Sequence, residues 1–227
     1  LIYELVAGTL ASYLLGDSVT QFSTIIGVYL FSMGIGSFLS KYFTRNLLAW
    51  FVQIEILVGL VGGFSSAIIF ILFEQVESFR IVLYLLISLT GILVGLEIPL
   101  LLRILKDKLD FTELVSKVFT YDYIGALLAS VIFPLLLVPH LGIMRTSFFF
   151  GILNVLVALL LCIKLNKSMP WASYLKSSCI VVLLTLLTGF VYSDSIMSYA
   201  ESMAFPDKII YAKSSAYQRI VITKNKN

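Results

Sequence analysis

Charge is scarce in this chain, and so are the residues that ligate metals or staple small folds. Of 227 residues only 13% are Asp, Glu, Lys or Arg, one is histidine, and two are cysteine, Cys162 and Cys179. A single histidine without a cysteine cluster offers no transition-metal site, so no metal is expected. Both cysteines lie inside apolar runs and read as buried free thiols rather than as a disulfide. A net charge of +3 is too small to capture nucleic acid, and no such partner is expected. The glycines of Gly34-Ile35-Gly36 sit in mid-run with no preceding strand, which excludes a nucleotide loop there. His140 follows Pro139 at the end of an apolar run and reads as an interfacial residue. The opening Leu1-Ile2-Tyr3 shows neither an initiator Met nor a basic n-region. No cleavable signal peptide is legible, and the start is expected to be trimmed from a longer protein.

What the chain has in abundance is apolar material: 59% of its residues are hydrophobic and its mean hydropathy is +1.01. A soluble domain of this length needs more polar surface, so the excess is expected to face lipid. Crossing a bilayer takes about 20 apolar residues in a helix, because no water there can satisfy the backbone. Seven stretches fit or nearly fit: 1–15, 22–39, 47–73, 81–102, 118–138, 143–163 and 177–191. Short polar segments join them, and the charged linker Lys106–Lys117 reads as an amphipathic turn on the membrane surface. After Val191 the composition becomes mixed, and Lys208-Ile209-Ile210-Tyr211 and Gln218-Arg219-Ile220-Val221-Ile222-Thr223 read as two short strands. The expected fold class is an all-α polytopic membrane protein of about seven transmembrane helices, followed by the start of a small β-hairpin. Residues 1–193 would form the membrane domain and 194–227 a linker and hairpin. A lone hairpin is marginal in water, so a further domain is expected to follow it.

Loops after spans two, four and six hold Lys41, Arg45, Arg103, Lys106, Lys108, Lys117, Lys164, Lys167 and Lys176, whereas the opposite loops hold only Arg80 and Arg145. The positive-inside rule makes the first side cytoplasmic. Seven spans would then carry the tail to the other side. Trp50, Trp171, Tyr192 and Tyr199 fit an aromatic belt at the interfaces.

Four carboxyls, those of Glu4, Glu55, Glu97 and Asp122, fall within or at the margin of spans. A carboxylate at membrane depth costs several kcal/mol unless paired, hydrated or protonated, so these groups are expected to face the bundle interior. Small residues follow at helical spacing: Glu4 with Gly8 and Ser12, Glu55 with Gly59 and Gly63, Asp122 with Ala126 and Ser130. The first and third stripes belong to an internal echo, in which Tyr3-Glu4 through Leu10-Ala11-Ser12 is matched by Tyr121-Asp122 through Leu128-Ala129-Ser130. A parallel four-plus-three repeat would produce it, and so would chance in a biased alphabet. The acids read either as a cation-lined cavity or proton relay, or as carboxyls that merely fix helix packing. Gly62-Gly63 and Gly91/Gly95 read as close-packing sites, Pro99 as a kink, and Arg103 as an interfacial anchor.

Several motifs together resemble one family. They are Tyr3-Glu4-Leu5-Val6-Ala7-Gly8-Thr9-Leu10-Ala11-Ser12-Tyr13-Leu14-Leu15-Gly16, Gly95-Leu96-Glu97-Ile98-Pro99-Leu100-Leu101, Asp122 through Ser130 with Phe133-Pro134, and Ser215-Ala216-Tyr217-Gln218-Arg219-Ile220-Val221-Ile222. The combination resembles the bacterial membrane-bound polyamine aminopropyltransferases, or spermidine synthase-like proteins, in which a membrane domain precedes a Rossmann-like synthase domain. The resemblance implies transfer of an aminopropyl group from decarboxylated S-adenosylmethionine, a substrate rather than a cofactor, to putrescine, giving spermidine. It implies a multi-pass protein of the bacterial inner membrane. It also implies that Gln218, with Tyr217 beside it, lies against the nucleoside substrate. The catalytic aspartate and Gly-rich loop would lie downstream of Asn227, leaving this stretch catalytically inert. Two other readings stand beside it: a polyamine or other cation transporter using the intramembrane acids, and an anchoring or oligomerisation module with intermonomer contacts at Gly59 and Gly63. The family's substrates are cytoplasmic, which conflicts with the loop count. Lys208, Lys213, Arg219, Lys224 and Lys226 side with the family. A reporter fused after Asn227 is therefore expected to read cytoplasmic; a reading on the opposite side would uphold the loop count instead.

Overall fold

A computed structural model describes residues 1–73, 75–76, 78–108, 110–165, 169–204, 207–214 and 219–224. Apolar helices dominate: α1 (Ile2–Leu15), α2 (Ser18–Leu39), α3 (Leu47–Leu72), α4 (Phe79–Leu105), α5 (Phe111–Ile132), α6 (Val138–Lys164) and α7 (Ala172–Val191). A 3₁₀ turn, Ser40–Tyr42, follows α2, and a π turn, Phe133–Leu137, joins α5 to α6. A short helix α8 (Ser193–Ala204) leads to strands β1 (Lys208–Ser214) and β2 (Arg219–Lys224).

The local chemistry accounts for the boundaries. Gly16 ends α1 at φ 71°, a conformation that costs a residue without Cβ little. Asp17 then caps α2 by accepting from the Thr20 amide at 3.3 Å, and Asp110 caps α5 by accepting from the Thr112 amide at 3.2 Å. That second cap corrects the surface-turn reading of Lys106–Lys117, whose latter half already belongs to α5. α4 runs without interruption through Pro99. The chain breaks instead at Gly142, with φ 76° and ψ 168°, just after the π turn that holds Pro134. The break divides a helical stretch of 54 residues into two helices. Segment 194–204, read as an irregular linker, is the helix α8. Its polar composition hid a regular element.

Two crossings organise the bundle, α2 on α4 and α3 on α6. In the first, Gly36 and Gly95 bring backbone onto backbone: a Cβ on Gly36 would collide with the Ile92 carbonyl, and one on Gly95 with Met33. Gly91 meets Ser32 Cβ at 2.8 Å in the same way. In the second, a Cβ on Gly59 would stand 2.7 Å from the Gly151 carbonyl oxygen, and one on Gly63 2.6 Å from Leu186. Both α3 glycines thus face α6 and α7 of their own chain, which corrects the expectation of intermonomer contacts there. A hydroxyl seam accompanies this crossing, with Ser65 and Ser147 each donating to the Gly62 carbonyl at 2.7 Å. Cys162 and Cys179 lie buried and free in the apolar core between α6 and α7. Arg103 donates to the carbonyls of Ser40 at 2.9 Å and Phe43 at 2.7 Å, tying α4 to the turn after α2. Arg145 holds the head of α8 through Ser193 and Asp194.

α5 stands apart. Leu114 is its buried residue, while Tyr121, Tyr123, Leu127 and Leu128 are exposed. Elsewhere the exposed apolar side chains form outward stripes, Ile81, Leu85 and Leu89 on α4, and Val181, Leu184, Leu187 and Val191 on α7. Among the described residues five helical stretches are long and apolar enough to cross a membrane, counting Phe111–Lys164 once, with α1 as a shorter apolar helix. The two strands pair antiparallel, Ala212 opposite Val221, with a bulge between Ile209 and Tyr211.

Overpacking a tight helix crossing costs about 1–3 kcal/mol. Gly59→Val is therefore expected to lower the unfolding midpoint in detergent by that order. Gly27→Val, at a position with nothing within 4 Å, is expected to leave it nearly unchanged; equal midpoints for the two would refute the crossing.

Candidate functional site

Three carboxyls and two phenols are carried by α1 to α4, which pack on one another. Glu4 comes from α1, Glu55 from α3 and Glu97 from α4; Glu4 and Glu55 are buried, at 7% and 8% exposure, and Glu97 is half-buried. Tyr3 comes from the same turn as Glu4. Its ring lies flat on α3, where a Cβ on Gly62 would fall 2.6 Å from it, and apolar neighbours Ile54, Val58, Leu93 and Leu96 complete the surroundings. Tyr29 comes from the middle of α2 and is 1% exposed. These groups share one electrostatic neighbourhood. Glu97 lies in the fields of the Glu55 carboxyl, the Leu1 α-ammonium and the Asp122 carboxyl, Tyr3 in those of Glu97, Tyr29 and Glu55, and Tyr29 in those of Glu97 and Glu4.

The polar atoms are not used up by one another. The hydroxyls of Tyr3 and Tyr29 and one oxygen of Glu97 are buried without a hydrogen-bond partner, as are Ser12 Oγ and the Gln21 side-chain carbonyl on the adjoining faces of α1 and α2. None of the ion pairs formed among the described residues involves Glu4, Glu55 or Glu97. Arg103 is committed to backbone carbonyls. Nor do three His, Cys, Asp or Glu side chains gather closely enough among the described residues to hold a metal ion. The arrangement is a spread set of oxygen acceptors in an apolar frame.

Of the acids singled out from the sequence, Glu4 and Glu55 are buried, Glu97 is half-buried, and Asp122 does not join them in burial. It is exposed on α5, as is Ser130, and Ala126 is only half-buried. Because α5 hardly touches the bundle, the inward orientation read from its spacing does not hold. A Cβ on Gly8 would fall 2.6 Å from the Phe22 ring, and Gly59 and Gly63 line the α3–α6 crossing. The matching motifs of α1 and α5 therefore sit in unlike surroundings. Tyr217 and Gln218 lie outside the described residues. Sequence reasoning named Gly62 as a packing site but gave Tyr3 and Tyr29 no role in the site. A tyrosine in mid-span, away from the interfaces where its hydroxyl is ordinarily wetted, is the signal that would have found Tyr29.

Comparison with known proteins bears on these same helices. The whole chain is 56% identical to a polyamine aminopropyltransferase of Leptospira interrogans serogroup Icterohaemorrhagiae serovar copenhageni (strain Fiocruz L1-130), covering 46% of that protein. The chain is similar throughout to polyamine aminopropyltransferases. Over 240 residues it is 48% identical to polyamine aminopropyltransferase 2 of Ralstonia nicotianae (strain ATCC BAA-1114 / GMI1000), again covering 46%. It is 35% identical over 232 residues to a polyamine aminopropyltransferase of Corynebacterium efficiens (strain DSM 44549 / YS-314 / AJ 12310 / JCM 11189 / NBRC 100395), covering 45%. The chain thus spans about half the length of the curated aminopropyltransferases it matches. No family model matches it, and no solved structure does.

A buried hydroxyl with no partner costs about 1–3 kcal/mol. Tyr3→Phe is expected to hold or raise the thermal midpoint of the purified chain; a fall of more than about 1 kcal/mol would show that the hydroxyl is bonded.

Proposed function

We propose that this chain is the membrane-embedded part of a polyamine aminopropyltransferase. The protein containing it would transfer an aminopropyl group from decarboxylated S-adenosylmethionine to putrescine, giving spermidine. The observation that carries the reading is identity of 56% to a polyamine aminopropyltransferase along the full 227 residues. The outward apolar stripes of α4 and α7 and the glycine-lined crossings support placement of α1 to α7 in hydrocarbon, in the inner membrane of a bacterial cell. In this reading the polar α8 lies near the interface, the hairpin is cytoplasmic, and Gln218 with Tyr217 approaches the nucleoside substrate.

Membrane fractions from cells expressing the gene that encodes this chain are expected to release methylthioadenosine from decarboxylated S-adenosylmethionine in a putrescine-dependent way. Activity found wholly in the soluble fraction would overturn the membrane placement, and its absence from both fractions would overturn the transferase reading.

A further inference from the structure

We propose that Tyr3, Tyr29, Glu55 and Glu97 form an amine-binding site inside the helix bundle, taking the ammonium group of an aliphatic diamine. The choice of an aliphatic diamine rests on the polyamine reading above; the site itself rests on the geometry. Acidic residues that serve only to fix helix packing satisfy one another, or bond to neighbouring hydroxyls. Here Tyr3 Oη and Tyr29 Oη, on residues 7% and 1% exposed, and Glu97 Oε1 are buried and left unbonded. Such groups are costly in an apolar frame and call for a hydrogen-bond partner from outside the chain.

The chemistry of that partner follows from the acceptors. Carboxylate and phenol oxygens on α1, α2, α3 and α4 present acceptors from several directions, and a primary ammonium carries N–H donors and the positive charge that would offset them. The two ion pairs among the described residues lie elsewhere, and the one cation in the field of Glu4 and Glu97 is the α-ammonium of Leu1. A metal ion fits less well. It needs its ligands drawn tightly around one point, whereas these carboxyls do not form a metal-holding group among the described residues. The aliphatic walls of Val58, Leu93 and Leu96 suit a methylene stem. Asp122, exposed on α5 yet within electrostatic range of Glu97, provides acidic character on the open side for a second ammonium.

The test is equilibrium binding of tritiated putrescine to the chain in nanodiscs, with no decarboxylated S-adenosylmethionine present. Saturable binding is expected, weakened at least about tenfold by Glu55→Gln or Glu97→Gln and about threefold by Tyr3→Phe, each lost hydrogen bond to a charged group counting for one factor of that order. Glu113→Gln, at an exposed pair with Lys117 on α5, is expected to bind like the unaltered chain. Should the acid variants not fold, thermal melting of the unaltered chain decides: putrescine is expected to raise its midpoint and 1,4-butanediol, of equal length without charge, is not. Binding that is indifferent to Glu55 and Glu97, equal shifts by both compounds, or Glu55-dependent uptake of ²²Na⁺ that putrescine does not displace would each overturn the site. Failure of the transferase assay alone would leave amine binding standing, and intact transfer with indifferent binding would remove this site alone.

Discussion

Backbone contact at glycine is the constraint on which the rest of the structure depends. On the proposed placement in hydrocarbon there is no water to expel between helices, so association would come from close fit and from polar contacts. At Gly36 and Gly95 α2 and α4 meet with no room for a side chain, and at Gly59 and Gly151 α3 and α6 do the same. These two crossings fix where α3 and α4 present Glu55 and Glu97 relative to one another. The serine hydroxyls that bond to the Gly62 carbonyl hold the same stretch of α3 that carries the Tyr3 ring. Helix proximity and the polar cluster are thus one piece of architecture, since the glycine that allows Tyr3 to lie down lies one turn along α3 from Gly59.

That architecture explains why acidic side chains can persist in so apolar a chain. Three acids from three helices would repel each other if all were charged, and the apolar frame magnifies the effect. The bundle tolerates them because the crossings leave them little freedom to separate. The unpartnered oxygens of Tyr3, Tyr29 and Glu97 cost stability, and the close glycine contacts add to it.

Much of the fold was legible because it is written in hydropathy. The apolar runs gave α1 to α7 in order, and Gly59, Gly63, Gly91 and Gly95 were recognisable as contact points from their spacing. Other features were not, for physical reasons. The helix α8 has too little apolar contrast in Ser193–Ala204 to stand out, and the early start of α5 hides behind charged residues that serve as its cap and first turn. Asp122 misled because spacing along a helix says which residues share a face, not whether another helix is there to receive it. The same blindness applied in reverse to Tyr3 and Tyr29, whose participation depends on contacts between elements distant in sequence.

The freedom of α5 has a mechanical consequence. A helix clamped by neighbours on several sides cannot change its tilt without unpicking its contacts, but α5 touches little beyond the π turn that leads to Gly142 and, more sparsely, α4 and α1. On the proposed placement, a thinner or thicker bilayer would be met by leaning of this one rod while the clamped helices keep their angles. Lipid composition would then act on the chain through a single pivot, with Asp122 carried toward or away from Glu97 as the rod leans.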